Sequence, residues 1–245
     1  MKKDINFLKE YLIAHRGFHN ISKGIPENSM AAFKEAIDNN YIIELDIHLL
    51  KDKNIVVFHD DNLERMTGLN KKINEFTYPQ IANLNLKNTN EHIPLLKDVL
   101  QFVDGKVPII IELKYDSKYG KLENQLIKLL SQYNGKYAVK SFNPLSIYWF
   151  KKHSPNTIRG QLSYDYNDYK KNPITKFILK NMLFNFITKP DFISYGIKSL
   201  PNKKIAKIRK NKIILGWTIK NKDDLIYAQK YCDNYICENF DKLKE

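Results

Sequence analysis

Eight short apolar runs, each a candidate β-strand, recur along the 245-residue chain, and helix-like patterns separate most of them. The runs are rich in β-branched and aromatic residues, which favour strands. In chain order they lie at 11–14, 41–46, 107–112, 137–141, 157–161, 191–195, 212–218 and 234–237. Strands that alternate with helices form parallel sheets, and eight such units close a barrel of about 250 residues. The pattern therefore predicts an α/β protein with a TIM (β/α)8 barrel.

Apolar residues recur with helical spacing between these runs, for example in residues 29–38 and 119–133. Asn28 precedes the first of these segments and is the expected N-cap, because its side chain can accept a hydrogen bond from the first helical turn. Pro144 is expected at the first position of another helix, where its missing N–H is no loss. These positions support helices as the connections between the strands.

Two connections, residues 47–94 and 163–190, are longer than ordinary loops. The first contains an extra strand-like run at 55–58, and we interpret it as a small inserted subdomain after the second strand. The second is apolar and basic, and we interpret it as a further insertion. Because the sequence shows no repeat and no linker, we expect residues 1–245 to form a single domain.

The charge pattern limits the kinds of partner that the protein is expected to bind. The formal net charge is +13, but the excess is mostly lysine spread along the whole chain, with no arginine-rich arm and no zinc-finger spacing, so nucleic-acid binding is not expected. The two cysteines make neither a disulfide framework nor a zinc pattern. Charged residues interrupt the N-terminal segment, and no run of about 18 apolar residues is present. We therefore expect a cytoplasmic protein with reduced thiols.

Three acidic residues stand near the ends of two predicted strands. Glu44 and Asp46 are two residues apart, so in a strand their side chains point to the same side, and Glu112 ends the apolar run VPIIIE. Carboxylates in such a place repel one another unless a cation lies between them, and an all-oxygen set suits Mg²⁺ or Ca²⁺. Lys114 shares the side of Glu112 and indicates an anionic substrate. The alternative is that these residues are solvated surface groups.

His15 and His59 each follow an apolar run and precede a turn. Two histidines at strand ends suit paired proton transfer near neutral pH, although either alone is more often structural. Arg16 can hold two phosphate oxygens through its forked guanidinium, and Gly17 permits a tight turn. Together with the acidic residues, this set fits phosphoryl chemistry better than carbonyl chemistry.

These motifs, in order and spacing, resemble the glycerophosphodiester phosphodiesterase family. They are HRG at 15–17, PENS at 26–29, ELD at 44–46, HDDNLERMTG at 59–68, IELK at 111–114, SFNP at 141–144 and GWTI at 216–219. The resemblance spans nearly the whole chain. It implies a (β/α) barrel and metal-dependent hydrolysis of a small-molecule glycerophosphodiester to sn-glycerol 3-phosphate and an alcohol.

The resemblance also implies a role for each candidate residue. His15 and His59 would be the acid–base pair, and Arg16 and Lys114 would contact the substrate phosphate. Trp217 would pack on the glycerol moiety. Glu27 would orient Arg16. The metal ligands would be Glu44, Asp46 and Glu112, with Mg²⁺ or Ca²⁺ as the cofactor.

Two other functions are compatible with the same residues. Residues 174–187 could form an amphipathic helix that makes peripheral membrane contact, in which case the enzyme would cleave lysophospholipids. A helix that covers the core or forms a homo-oligomer is the simpler interpretation, because a segment of about three turns usually packs on protein. A non-catalytic module that binds phosphorylated ligands would tolerate the loss of a histidine or carboxylate, yet none is missing here.

Overall fold

A computed structural model describes residues 3–114, 119–167 and 172–244. The chain divides into two compact units. One unit is Ala14–Tyr137, and the other combines Met1–Ile13 with Ala138–Glu245. They are called here the first and second unit, and each is described by itself.

Strands and helices alternate along the described chain. The strands are β1 (Ile13–Ala14), β2 (Ile42–Leu49), β3 (Ile55–Val57), β4 (Ile109–Leu113), β5 (Tyr137–Ser141), β6 (Ile158–Ser163), β7 (Phe192–Gly196), β8 (Ile213–Ile219) and β9 (Asn234–Cys237). The helices are α1 (Phe7–Glu10), α2 (Met30–Asp38), α3 (Glu64–Thr67), α4 (Tyr78–Ile81), α5 (Leu96–Val103), α6 (Lys121–Leu130), α7 (Pro144–His153), α8 (Pro173–Lys180), α9 (Asn185–Thr188), α10 (Lys203–Arg209), α11 (Lys222–Gln229) and α12 (Asp241–Lys244).

The first unit is built around β2, whose eight residues are all buried. β2 pairs in parallel with β4 and, through its last three residues, antiparallel with β3. The connection between β3 and α5 has its own cluster of buried apolar side chains, which includes Phe58, Leu63, Met66 and Ile81. This cluster is consistent with the predicted inserted subdomain, which stays a prediction.

The second unit contains a run of strands in sequence order. β5 pairs with β6, β6 with β7, β7 with β8 and β8 with β9, and every pairing is parallel. Helices connect consecutive strands, which is the βαβ arrangement that parallel pairing requires. Cys232 and Cys237 are free and buried in this unit, and burial raises the pKa of each thiol to about 12. Both thiols are therefore protonated and unreactive at neutral pH.

All eight predicted strands are present, and the extra strand at 55–57 is as well. The largest difference is at β2, which continues to Leu49 because its last residues pair with β3. The predicted N-cap of α2 was wrong. Ser29 caps this helix by accepting a hydrogen bond from Ala32 N at 3.1 Å, whereas the Asn28 side chain bonds to Asp46.

Candidate active site

The strand register brings the three predicted acidic residues together in the first unit. Asp46 on β2 is the direct partner of Glu112 on β4, and Glu44 lies two residues earlier on β2. One carboxylate oxygen from each residue lies within 4.8 Å of the other two. All three side chains are buried, with 0% exposure for Glu44 and Asp46 and 4% for Glu112. Buried carboxylates this close repel one another strongly unless positive charge lies among them.

Two cationic side chains provide part of that charge. Lys114 Nζ lies 2.8 Å from Asp46 Oδ1 and 2.6 Å from Glu112 Oε1. Arg16 Nε lies 3.5 Å from Asp46 Oδ2. Burial would raise the pKa of Asp46, but the charge of Lys114 and its other cationic neighbours outweigh burial and hold the pKa far below its ordinary value. Burial would likewise lower the pKa of Lys114, but Asp46 and Glu112 raise it. Asp46, Lys114 and Arg16 are therefore charged at neutral pH.

The cluster has the chemistry of a site for a hard divalent cation. Its donors are carboxylate oxygens, which Mg²⁺ and Ca²⁺ prefer, and no thiol or imidazole of the described residues belongs to the group. The Lys114 ammonium bridges two of the three carboxylates and so shows that the cluster stabilises positive charge at this point. Glu44, Asp46 and Glu112 could therefore hold a metal ion together.

The turn at 15–17 is fixed against β2. The backbone N–H of Arg16 donates to Glu44 Oε2 at 3.0 Å, and that of Gly17 donates to the Glu44 carbonyl oxygen at 3.1 Å. His15 Nε2 lies 3.9 Å from Glu44 Oε2. Arg16 and Gly17 both have positive φ, at 56° and 78°. Such backbone strain at a non-glycine residue is common where a site requires a particular side-chain direction.

Gly17→Ala is expected to destabilise the protein by about 1–3 kcal/mol. A Cβ at this position would lie 2.9 Å from the carbonyl carbon and Cβ of Ala32, in addition to the cost of positive φ. Gly24→Ala is the matched control, because Gly24 has a similar φ of 72° but no atom within 4 Å of the added Cβ. Urea unfolding measures both, and equal losses for the two variants would contradict the steric argument.

A chain of charged contacts links Arg16 to His59. Glu27 accepts hydrogen bonds from Arg16 at 2.7 Å and from Arg65 at 2.6 and 3.0 Å. Arg65 Nε also donates to Asp60 Oδ2 at 2.5 Å, and the other oxygen of Asp60 lies 2.5 Å from His59 Nδ1. The charge signs alternate from Arg16 to Glu27, Arg65 and Asp60. Burial lowers the pKa of His59, and the neighbouring charges leave it below its ordinary value.

Three of these contacts involve residues that we did not predict from the sequence. Asp60 and Arg65 are the missing members of the charged chain, and Asn28 Nδ2 donates to Asp46 Oδ2 at 3.0 Å. His48 was not among the candidate residues; it is buried, and its Nε2 lies 3.2 Å from the His59 carbonyl oxygen. An acid immediately after a candidate catalytic histidine was the available signal for Asp60. Arg65 and Asn28 lie within the motifs at 59–68 and 26–29, and that position was the available signal for them.

A cavity of about 650 Å³ opens beside these groups. His59, Asp60, Arg65 and Lys114 are among its lining residues. The lining carries two cations, Arg65 and Lys114, and three carboxylates, those of Asp60, Asp61 and Glu64. The cavity and the acidic cluster belong to the same unit and share Lys114.

Trp217 is the predicted site residue that lies in the second unit. Its ring packs edge-on against Phe142, with centroids 5.7 Å apart, and against Tyr164 at 6.2 Å. Trp217 therefore belongs to an aromatic cluster. Its predicted contact with glycerol stays a prediction, as do the roles assigned to the other candidate residues.

Comparisons with known proteins show the family. A model described as the glycerophosphoryl diester phosphodiesterase family matches residues 15–238. The Bacillus subtilis (strain 168) protein YhdW, named as a candidate glycerophosphodiester phosphodiesterase, is 30% identical over 86% of this chain and 86% of its own. The glycerophosphodiester phosphodiesterase of Caldanaerobacter subterraneus is 36% identical over 63% of this chain and 67% of its own.

A solved structure shows the fold class. An Oleispira antarctica phosphodiesterase, in complex with the product sn-glycerol-3-phosphate, aligns with a TM-score of 0.82 at 19% identity. The alignment covers 99% of this chain and 97% of that chain. The predicted TIM (β/α)8 barrel is confirmed.

Proposed function

Because the chain belongs to the glycerophosphoryl diester phosphodiesterase family and is thus a hydrolase, we propose that it cleaves glycerophosphodiesters to sn-glycerol 3-phosphate and an alcohol. The observation that carries the proposal is the buried group of Glu44, Asp46 and Glu112 with Lys114 and Arg16 against it. The name of the Caldanaerobacter relative and the product in the Oleispira structure support this substrate class.

The substrate phosphate is expected to bind where the cationic side chains meet the acidic cluster. Arg16 can hold two phosphate oxygens, and Lys114 can contact a further one as a point charge. Glu44, Asp46 and Glu112 would hold a Mg²⁺ or Ca²⁺ ion. Such an ion, when bound, neutralises phosphate charge and stabilises the charge that develops in the transition state. Arg16 contributes to the same stabilisation, because burial strengthens its electrostatic effect.

The two histidines would move the protons. One accepts a proton from the attacking oxygen, which belongs to water or to the glycerol 2-hydroxyl, and the other gives a proton to the alcohol oxygen as its bond to phosphorus breaks. Burial lowers the pKa of His59, and this shift favours the neutral ring that can accept a proton. His15 then serves as the proton donor.

Asp60→Asn is expected to lower kcat by about 10–100-fold while KM changes little, because Asp60 holds the His59 ring through Nδ1 and presents Nε2 for proton transfer. Steady-state kinetics on glycerophosphocholine measure both constants. Asp52→Asn is the control, because Asp52 is an exposed carboxylate that also accepts hydrogen bonds but lies outside the charged chain. An unchanged kcat in Asp60→Asn would refute the positioning role.

A substrate panel tests the proposed function. Purified protein is incubated with glycerophosphocholine, glycerophosphoethanolamine, glycerophosphoglycerol and glycerophosphoinositol, and released sn-glycerol 3-phosphate is measured enzymatically. We expect this product from at least one of the four. Its absence from all of them, with the divalent cation supplied, would refute the proposal.

Lysophospholipid cleavage is the second candidate function. The exposed apolar side chains of α8 and its neighbours favour it, because they suit contact with a lipid surface, where lysophospholipids reside. Lysophosphatidylcholine and glycerophosphocholine are compared at equal concentration. A higher kcat/KM for the lysophospholipid would favour the second candidate over the first.

A further inference from the structure

The described part of the segment 163–190 presents an apolar surface. Four large side chains are exposed there, Ile174 at 68%, Phe177 at 62%, Leu183 at 40% and Phe186 at 76%. Ile174 and Phe177 are three residues apart on α8 and so lie on one helical face. α8 has no fully buried residue, and Lys176, Ile178 and Leu179 are half-buried. The interpretation that this helix covers the core stays a prediction. Residues 168–171 lie outside the described residues.

The same surface is basic. Residues 172–190 include Lys176, Lys180 and Lys189 but neither aspartate nor glutamate. Lys180 and Lys189 are exposed, and each is three residues along the chain from an exposed phenylalanine. Exposed phenylalanines with lysines around them are the composition of a helix that lies in the plane of a membrane interface. Among the described residues, no helix has the length and apolar character needed to cross the membrane itself.

The segment is held to the body of the second unit. Lys204 of α10 donates to the Asn181 carbonyl oxygen, and Lys151 of α7 donates to the Ile187 carbonyl oxygen. Met182 and Thr188 are buried beneath the surface. The apolar side chains are therefore presented outward by an anchored backbone.

We propose that this surface, Ile174 to Lys189, docks on bilayers that contain anionic phospholipid. Anionic headgroups complement the three lysines, and the acyl boundary accepts the phenylalanines. A second copy of the chain fits less well, because a two-fold symmetric contact would bring the same three lysines from each copy together with no acidic residue of this segment between them. This inference concerns the surface and goes beyond the proposed catalytic function.

Vesicle sedimentation tests the proposal. We expect the protein to cosediment at low salt with vesicles of phosphatidylcholine and phosphatidylglycerol, less at high salt, and much less with phosphatidylcholine alone. Phe177→Ser with Phe186→Ser should weaken binding by about tenfold for each phenylalanine removed. Lys176→Glu with Lys180→Glu should remove the preference for anionic vesicles.

A matched control and an independent readout keep the test specific. Ile21→Ser with Ile226→Ser removes two other exposed apolar side chains, 53% and 49% exposed, and should leave vesicle binding unchanged. Hydrolysis of soluble glycerophosphocholine should be the same in the phenylalanine variant and the wild type. The proposal is overturned if the wild type does not bind anionic vesicles at low salt. It is also overturned if the phenylalanine variant binds them like the wild type, or if its only change is conversion of a dimer to a monomer in light scattering.

Discussion

Replacing His59 with alanine is expected to lower kcat for glycerophosphocholine by about 10²–10⁴-fold, the contribution typical of a positioned acid or base. His59 and Lys114 both line the cavity. Asp60 Oδ1 lies 2.5 Å from His59 Nδ1 and so orients the His59 ring. A water molecule in place of the ring would not be held in the orientation that Asp60 gives the imidazole. His15→Ala should have an effect of the same order, because the reaction needs both a proton acceptor and a proton donor.

A variant that lacks both histidines tests the two roles more stringently than either single variant. Because residues that act as a unit give non-additive losses, His15→Ala with His59→Ala should lose much less than the product of the two single effects. His92→Ala is the control, because His92 is an exposed histidine of the same unit whose loss should leave kcat unchanged. Turnover near the wild-type value in either single variant would contradict the assigned roles. Circular dichroism spectra of all the variants confirm that the fold is retained.

Glu112→Gln is expected to weaken divalent-cation binding by more than about 100-fold, since even the loss of a group that only supports a metal ligand costs 10–100-fold. The substitution keeps the size of the side chain but removes one of three buried negative charges. Asp46→Asn should act similarly, since Asp46 is the direct strand partner of Glu112. Activity should fall in parallel with the occupancy of the site.

Thermal unfolding measures cation binding independently of catalytic activity. A cation that binds the native state raises the Tm of the wild type, and this increase should be absent in Glu112→Gln at the same cation concentration. Glu75→Gln, which alters an exposed carboxylate of the same unit, should keep the full increase. An undiminished Tm increase in Glu112→Gln would contradict the assignment of Glu112 as a metal ligand.

The acidic cluster could be predicted from the sequence because its geometry is local to strands. Glu44 and Asp46 share a side through the two-residue period of a strand, and Glu112 ends the next apolar run. What the sequence did not contain was the register that makes Asp46 and Glu112 direct partners. That register depends on how β2 and β4 pack, which no single segment determines.

The charged chain from Arg16 to His59 was only partly predicted, because its middle members are far apart in sequence. Arg65 is 38 residues from Glu27, and only the folded connection after β3 brings the two side chains together. Asn28 was expected to cap α2, but a positive φ of 55° directs it elsewhere, and Ser29 takes the capping position. Short polar side chains can cap helices or bond to other strands, and local sequence does not distinguish these uses.

The strands were predicted well because their apolar runs are continuous and short, as in β4, where all five residues are buried. The long segment 163–190 was predicted less well. Its apolar residues have helical spacing, which normally indicates a buried face, yet α8 exposes Ile174 and Phe177 to solvent. Periodicity reports which face is apolar and carries no information about what covers that face.

The most direct test is to strip the protein with EDTA, dialyse it, and follow sn-glycerol 3-phosphate release from glycerophosphocholine before and after Mg²⁺ or Ca²⁺ is added, with bound metal measured in the same samples. We predict that the stripped protein is inactive and that activity returns as one ion binds per chain. Full turnover by protein shown to contain no metal would contradict the claim that three buried carboxylates hold the ion on which this hydrolysis depends.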